Sequence, residues 1–388
     1  MISKIQAVQP WLKQFAKSHR KVAESLLDSL IYIKTSSVIY DLKEEILQNE
    51  GVKKVSLLPI RELSPNESVY DLVNNSISPT LQVAQEPLGS EAFISNLCTQ
   101  LNRKNGQYFP LSQNINGKRN SASLSLDQMR NLQVKKLILI DDLIGSGDRT
   151  KEFIESVYNH PTIKSRLSFG TLEIEILAYM ATHIGQAIIE KYISRKKGIS
   201  LNVLYTAPLI NELDNHSEIF YLCESYANKR EMNPLGYKNG AVRVIFSHSA
   251  PNNVPAILYR SVIDYKPKAK DITAISRWDA LFPGRYIPTD FSHENEEKNK
   301  KQPKLLKIRM ILQLLEMESL SVKRLSKITG LPQYELKLIL RNLNSVGWIS
   351  YANQEYTVTR AGSLEVTSKV KGLKIIAISP DFYYPYKV

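Results

Sequence analysis

Apolar and polar residues alternate along the chain with two different periods, which predict helices and strands in turn. From Trp11 through Leu30 and Ile31 to Ile46, apolar residues recur at helical spacing and predict two or three N-terminal helices. Short apolar runs and helical segments then follow one another: strands at 55–60, 137–140, 172–178, 201–204 and 241–246, and helices at 91–102, 151–158 and 184–193. This alternation predicts an α/β fold with a parallel sheet.

One stretch interrupts the alternation. Residues 103–128 are polar and have little hydrophobic period, so we expect a long loop, and long loops in compact domains are usually functional or disordered. Three basic residues, Lys104, Lys118 and Arg119, lie in it.

The strand predicted at 137–140 leads directly into two acidic residues, Asp141 and Asp142. Four consecutive apolar residues are typical of a strand that is buried on both faces of a parallel sheet. Because unpaired buried charge is costly, we expect the acids to end this strand and to face a crevice at its carboxyl end. Open α/β sheets bind ligands at that edge.

After two apolar residues, Leu143 and Ile144, the next six residues have the composition of a phosphate-binding loop. Glycines allow a sharp turn that points backbone N–H groups inward, a hydroxyl adds a donor, and a helix opening near Asp148 presents its positive end. The loop comprises Gly145, Ser146, Gly147, Asp148, Arg149 and Thr150. The alternative is an Asx-type turn that caps an ordinary helix, with both acids solvated.

A strand, two acids, two apolar residues and a small-residue loop resemble the diphosphoribose-binding signature of type I phosphoribosyltransferases. The resemblance implies that Asp141 and Asp142 reach the ribose 2′ and 3′ hydroxyls and approach Mg²⁺ carried by the diphosphate. It also implies that the loop from Gly145 to Thr150 wraps the 5′-phosphate. Gly89 and Ser90 match the family's diphosphate loop, although a Gly-Ser pair is equally expected of a plain helix cap.

The match to this signature departs from the usual pattern at three positions. Gly145 stands where the family usually has Thr, Ser or Ala, and Arg149 stands where Thr is common. Asp148 places a negative charge beside the expected phosphate, which Arg149 could offset.

Two later elements narrow the resemblance. The Pro-Asn-Asn loop at 251–253 and the segment WDALFPGR at 278–285 resemble a subgroup of phosphoribosyltransferase-like proteins found in bacterial conflict and antiphage loci. His248, Asn252 and Asn253 could contact a base or ribose, whereas the alternative is a β-turn stabilised by Asx contacts.

The C-terminal part of the chain has a different character. We expect a phosphoribosyltransferase-like domain with its helical N-terminal region at 1–290, a linker at 291–303, and a second domain at 304–388. Helices predicted at 305–315, 322–328 and 334–346, followed by two short strands, resemble a winged helix. The third helix would present four polar residues to nucleic acid: Gln333, Lys337, Arg341 and Asn344. A protein-binding winged helix is the alternative.

Composition supports nucleic-acid binding and argues against export. Of the net charge of +13, +10 lies between Lys298 and Val388, which is an electrostatic footprint for nucleic acid; a solvated basic surface without a partner is the alternative. No apolar run approaches the length of a bilayer span and no signal peptide is recognisable, so we expect a cytoplasmic protein without a membrane partner. Two cysteines, Cys98 and Cys223, support neither a disulfide framework nor a zinc site.

A phosphoribosyltransferase-like domain joined to a winged helix resembles the accessory proteins encoded with bacterial retrons. The resemblance implies an antiphage effector toxin that a reverse transcriptase and its RNA-linked DNA restrain until infection. Its chemistry would be transfer or cleavage at C1′ of a phosphorylated ribose or nucleotide. Two alternatives stay open: a non-catalytic, nucleotide-sensing, DNA-binding transcription regulator, and a salvage or pyrimidine-synthesis transferase.

Overall fold

The computed structural model describes residues 2–48, 52–73, 75–76, 90–110, 124–269, 272, 276–288, 291, 304–329, 331 and 333–367. The chain divides into two compact units, Met1–Asn295 and Glu296–Val388. Of the predicted linker, only Phe291 lies within the described residues. Gly89, Lys118, Arg119 and the tail beyond residue 367 lie outside them.

A four-stranded parallel sheet forms the centre of the first unit. Its strands are hydrogen-bonded in the order β2, β3, β4, β5, and their bounds are Val55–Pro59, Lys136–Ile144, Glu173–Ala181 and Ile199–Thr206. A parallel sheet with helices on its faces fits a phosphoribosyltransferase-like fold.

Helices cover both faces of this sheet, as the unbroken apolar run in β3 predicts. Ile138 and Ile140 of β3 pack with helices α3 and α4, whereas Leu137 and Leu139 pack with α5, α6, α7 and α8. The bounds of these helices are Thr35–Leu47, Ser90–Asn105, Leu126–Asn131, Asp148–Asn159, Pro161–Ser168 and His183–Ile193. Alternate residues of one strand therefore belong to two separate hydrophobic clusters.

A third hydrophobic cluster joins the N-terminal helices to the last part of the unit. It includes residues of α1, α2, α9 and α10, with bounds Gln9–Lys13, Arg20–Ser29, His216–Ser225 and Ala256–Tyr259. Trp11 and Trp278 both donate their indole N–H to the carbonyl of Ile257, at 3.2 and 3.0 Å. Buried indole N–H groups need such an acceptor, so this shared carbonyl fixes the two segments together.

A second, two-stranded parallel sheet pairs β1 (Ile31–Ile33) with β6 (Val244–Phe246). The expectation that Ile31 continues a helix is therefore wrong, because α2 ends at Ser29. The strand expected from Ala241 is also shorter than predicted, since Ala241 has a φ of 48° that is incompatible with a strand.

The loop expected at 103–128 is shorter at both ends. Helix α4 continues to Asn105, and α5 begins at Leu126. The start of α5 is fixed by a capping box in which Ser125 and Gln128 each bond the other's backbone N–H. Residues 111–123 lie outside the described part of the chain.

The second unit contains the helices and strands predicted for it. Helices α11, α12 and α13 are followed by the antiparallel pair β7 and β8 and by α14, with bounds Lys304–Met317, Val322–Thr329, Gln333–Ser345, Ile349–Ala352, Glu355–Val358 and Arg360–Thr367. Asn353 and Gln354 join the strands with φ of 51° and 65°, as a type I′ hairpin turn requires.

In the described residues of either unit, no helix is long and apolar enough to cross a membrane.

Candidate active site

Asp141 is fully buried near the end of β3, and the chain surrounds its carboxylate with donors. Its Oδ1 accepts from the guanidinium of Arg149 at 2.6 Å and from the backbone N–H of Asp142 at 3.0 Å. Its Oδ2 accepts from the hydroxyl of Thr150 at 3.2 Å. Two residues of the predicted phosphate loop therefore hold this acid directly.

Asp142 is held from the other side by a residue far away in sequence. Its Oδ1 accepts from the backbone N–H of Leu143 at 2.9 Å and lies 3.8 Å from the guanidinium of Arg149. Its Oδ2 lies 2.9 Å from Nε2 of His248. Sequence reasoning proposed His248 as a ligand contact, and the structure places it against an acid.

The expected end of the strand at Asp141 is wrong, because β3 continues through both acids to Ile144. The alternative with both acids solvated is also wrong, since Asp141 is 0% exposed and Asp142 is 9% exposed. Burial of two carboxylates is tolerated here because Arg149 and His248 pair with them. Both acids still lie in the last four residues of the strand, at its carboxyl end.

The two acids have opposite pKa shifts. Burial raises the pKa of Asp141 to about 7, although the charge of Arg149 opposes this rise. Burial would also raise the pKa of Asp142, but the hydrogen bond and charge of His248, with the charge of Arg149, outweigh it and lower the pKa to about 2. Adjacent carboxylates with separated pKa values are typical of functional sites.

The loop between β3 and α6 turns where its glycines allow. Gly147 has a φ of 82° and forms the N-cap of α6, which begins at Asp148 as predicted. Gly145 lies against the side chain of Asn253, so closely that a Cβ on Gly145 would be 2.3 Å from Asn253 Oδ1. A larger residue at position 145 would require the side chain of Asn253 to move, which is consistent with the glycine found there.

A residue that sequence reasoning missed pairs with Asp148. Lys238 Nζ lies 2.6 Å from Asp148 Oδ2, and the same carboxylate oxygen accepts from the hydroxyl of Ser146 at 2.7 Å. Burial by itself would raise the pKa of Asp148, but the hydrogen bonds of Lys238 and Ser146 and the charges of Lys238 and Lys151 together lower it. The negative charge beside the loop is thus offset by Lys238, while Arg149 pairs with Asp141.

The loop after β6 brings some of its predicted residues to the site. His248 contacts Asp142, and the buried Asn253 packs on Gly145 and directs its amide N–H to the carbonyl of Tyr237 at 3.4 Å. Asn252 is exposed, and its backbone carbonyl accepts from the N–H of Tyr237 at 2.8 Å. Contact of these residues with a base or ribose stays a prediction.

The N-terminus of helix α8 contacts the loop between β3 and α6. Thr182 is the N-cap of α8, and its hydroxyl accepts from Gly185 N–H at 2.9 Å and donates to Gly145 carbonyl at 2.6 Å. Gly185 approaches the loop so closely that a Cβ there would lie 2.3 Å from the carbonyl of Gly145. The loop is therefore braced by backbone contacts on one side and by Asn253 on the other.

Two further predictions concern phosphate and metal. Ser90 is the first residue of helix α4 and its partner Gly89 lies outside the described residues, so the cap and the diphosphate loop both stay predictions. Among the described residues, no group of three or more His, Cys, Asp or Glu side chains could hold a metal ion. The expectation that Asp141 and Asp142 approach Mg²⁺ through a substrate diphosphate stays a prediction.

In the second unit, helix α13 separates an apolar face from a polar one. Leu336, Leu340 and Leu343 are buried in the unit's core. The predicted contact residues lie elsewhere on the helix: Lys337, Arg341 and Asn344 are exposed and Gln333 is half-buried. A face of this composition suits phosphate and base contacts.

The parallel sheet and the loop after two acids define a phosphoribosyltransferase-like domain. The family model named PRTase-CE matches residues 8–283, which is more than half of the chain. The chain therefore belongs to the PRTase-CE family. No curated protein matches it.

Proposed function

We propose that the first unit acts at C1′ of a phosphorylated ribose or nucleotide, by transfer or cleavage. The observation that carries this proposal is the braced loop from Gly145 to Thr150, which lies at the N-terminus of α6 beside two buried carboxylates. Its backbone N–H groups and the hydroxyl of Ser146 would hold a 5′-phosphate. The carboxylates would orient the sugar through its hydroxyls, in exchange for part of their contact with Arg149.

Charge at the leaving group must be neutralised in such a reaction. Mg²⁺ carried by a donor diphosphate would supply that charge. Arg149, once displaced from Asp141 by the sugar, would be free to pair with a phosphate oxygen bound in the same loop. Positioning and electrostatics therefore contribute more to this proposal than covalent chemistry.

We further propose that the chain is an antiphage effector of the retron type, restrained by a reverse transcriptase and its RNA-linked DNA. Three features support this proposal. The first unit belongs to the PRTase-CE family. The second unit has the element order of a winged helix. The segment from Lys298 to Val388 carries +10 of the chain's net charge.

The nucleic-acid contact proposed for the second unit rests on α13. Lys337 and Arg341 are four residues apart and exposed, so both can reach one stretch of phosphate backbone. Asn344 and Gln333, on the same helix, are side chains that pair with adenine in a major groove.

The test of the ribosyl chemistry is mass spectrometry of small nucleotides in cells that express the wild type or the Asp141→Asn, Asp142→Asn double variant, with and without phage. We expect loss or modification of a nucleotide pool with the wild type alone. The matched control is Asp279→Asn, which removes an exposed carboxylate from an ion pair in the same unit and should behave as the wild type. Equal nucleotide pools in all strains, with all proteins folded, would refute an enzymatic function of the first unit.

One observation favours a second function, a non-catalytic sensor. All four carboxylate oxygens of Asp141 and Asp142 already have partners within the chain. A pocket with satisfied acids could bind a nucleotide and pass that state to a DNA-binding second unit. Sequence-specific binding to duplex DNA that a ribose phosphate alters would favour the sensor, and preference for branched RNA-linked DNA would favour the effector.

A further inference from the structure

A continuous chain of hydrogen bonds runs from Asp142 to a hydroxyl that the proposed reaction does not use. Asp142 Oδ2 lies 2.9 Å from His248 Nε2, and His248 Nδ1 lies 2.9 Å from Thr35 Oγ1. Thr35 Oγ1 in turn lies 2.7 Å from Ser247 Oγ. Carboxylate, imidazole and hydroxyl thus come together from three distant parts of the sequence.

The β1–β6 pair places these groups side by side. Ile33 and Phe246 are register partners at the ends of the two strands, so Thr35 and His248 follow at the same edge. Ser247 N–H donates to the carbonyl of Ile33 at 2.8 Å, which continues the pairing beyond the strands. The imidazole of His248 stacks on the ring of Phe246 with centroids 5.2 Å apart and planes at 15°. Backbone pairing and ring stacking therefore fix the geometry without a ligand.

The direction of each hydrogen bond follows from what each group can donate. Hydrogen-bonding to His248 keeps the pKa of Asp142 low, and an ionised carboxylate only accepts, so His248 Nε2 carries the proton. The charged imidazolium is the form that exists after proton transfer; the neutral imidazole that acts as the base accepts at Nδ1 from the hydroxyl of Thr35. Ser247 Oγ accepts from the backbone N–H of Thr35 at 2.8 Å, which directs its own proton towards Thr35 Oγ1.

This arrangement meets the geometric criteria for an activated nucleophile. The hydroxyl is within hydrogen-bond reach of a base, and the base is oriented by a third group, which also stabilises the imidazolium that forms. Thr35 is half-buried, so it is not enclosed in the hydrophobic core. The purely structural alternative is that the chain only ties the β1–β6 pair to β3.

We propose that Thr35 is the acceptor of a phosphoribosyl group, so that the protein modifies itself beside its donor site. This inference rests on the proposed ribosyl function. The bond from Thr35 Oγ1 to C1′ forms while the bond from C1′ to the diphosphate oxygen breaks. The diphosphate leaves with the electron pair, and the hydroxyl proton passes to His248 Nδ1. The product is a threonine O-glycoside that carries a 5-phosphoribosyl group.

The test incubates the purified full chain with 5-phosphoribosyl 1-diphosphate and Mg²⁺, and measures peptide masses together with diphosphate release. We expect one phosphoribosyl adduct on the peptide that contains Thr35. Thr35→Val should carry none at that position, and Thr35→Ser, which retains a hydroxyl, should be modified. His248→Gln should reduce the rate at least a hundredfold, as the loss of a general base does. Ser36→Ala, at the exposed neighbour on α3, is the matched control and should react as the wild type.

Each other outcome refutes the inference in a recognisable way. Release of diphosphate without an adduct on Thr35 refutes self-modification and leaves the proposed function intact. Absence of both release and adduct refutes the two together. If Thr35→Ser forms no adduct although its melting temperature equals that of the wild type, the hydroxyl is not the acceptor. Equal modification rates for His248→Gln and the wild type would show that His248 is not the general base.

Discussion

At the scale of single residues, the site is organised by how two adjacent carboxylates obtain partners. Asp141 and Asp142 are neighbours in β3, yet one pairs with Arg149 eight residues later and the other with His248. Successive side chains of a strand point to opposite faces, so each acid meets a different layer of the fold. Their pKa values separate because His248 pairs with Asp142, whereas the charge of Arg149 does not outweigh the burial of Asp141.

The first prediction concerns the Arg149 contact. Arg149→Ala leaves the buried Asp141 without its strongest donor, and we expect a loss of roughly 2 kcal/mol in the free energy of unfolding. Urea denaturation at neutral pH measures it. Arg277→Ala breaks an ion pair in which both side chains are exposed, so it should cost less than about 1 kcal/mol. Equal losses in the two variants would contradict this assignment.

The second prediction concerns acid pH. The folded-state pKa of Asp142 is about 2, below the unfolded value of about 3.9. Asp142 therefore contributes stability that is fully present above the unfolded pKa and is lost as the pH falls towards the folded pKa. We expect unfolding midpoints between about pH 5 and pH 2 to fall more steeply for the wild type than for Asp142→Asn. Asp279→Asn should follow the wild type, and parallel curves for all three would contradict the shift.

At the scale of elements, the loop after β3 depends on close packing against the loop after β6. Gly145→Ala would place its Cβ against the amide of Asn253, and we expect a loss of roughly 1–3 kcal/mol in stability. Adding Asn253→Ala to Gly145→Ala removes the clashing atoms, and the double variant should regain part of the lost stability. A double-mutant cycle by urea denaturation measures the coupling between the two positions.

The control for this cycle is Gly185→Ala, whose Cβ would meet the backbone carbonyls of Gly145 and Ile144. Asn253→Ala cannot relieve a backbone clash, so no recovery is expected with Gly185→Ala. Additive losses for Gly145→Ala and Asn253→Ala would show that the two loops are not coupled.

Helix α13 carries the next prediction. Lys337→Ala with Arg341→Ala should weaken nucleic-acid binding and reduce the dependence of log K on log salt by up to about 2, one for each lost phosphate contact. Both side chains are exposed, so stability should change little. Lys17→Ala with Arg277→Ala removes two exposed charges from the first unit and should leave the salt slope unchanged. Equal slopes in the two double variants would exclude α13 as the contact.

The elements also show which features of this fold can be predicted from sequence. Four consecutive apolar residues identify β3, and the glycines identify the turn into α6. The end of β3 could not be predicted, because the partner that allows Asp142 to be buried, His248, is 106 residues away. Strand β1 is only three residues long and continues the apolar spacing of α2, so periodicity assigns it to a helix. Helix α5 inside the expected loop is too short for a hydrophobic period, and only the spacing of Ser125 and Gln128, which form its capping box, marks where it begins.

Within the site, contacts between residues close in sequence could be predicted, and contacts between distant residues could not. The loop from Gly145 to Thr150 is contiguous, and its composition predicts its conformation. Thr35 and Lys238 could not be identified, because no spacing connects them to the acids and only the pairing of strands and loops brings them there. Lys238 carries one signal only in the structure, a φ of 51° that is uncommon for lysine.

At the scale of the whole molecule, substitutions in the first unit and in the second unit should have separable effects on toxicity and on nucleic-acid binding. If nucleic acid restrains a toxic first unit, Lys337→Ala with Arg341→Ala should release it, and cells should show toxicity and nucleotide loss without infection. Asp141→Asn with Asp142→Asn should abolish toxicity while the purified protein still binds branched RNA-linked DNA. The two sets of substitutions in one chain should be non-toxic, because the released unit then lacks its site.

Growth curves and nucleotide pools, with protein levels matched, measure these effects in four strains: the wild type, the two double variants, and the variant that combines all four substitutions. Toxicity that survives in the combined variant would place the toxic activity outside Asp141 and Asp142. A non-toxic Lys337→Ala, Arg341→Ala variant with unchanged nucleotide pools would instead mean that nucleic acid does not restrain the first unit. A ligand-dependent change in duplex DNA binding by the wild type would then favour the nucleotide-sensing regulator, since a sensor needs the second unit to act and an effector needs it only for restraint.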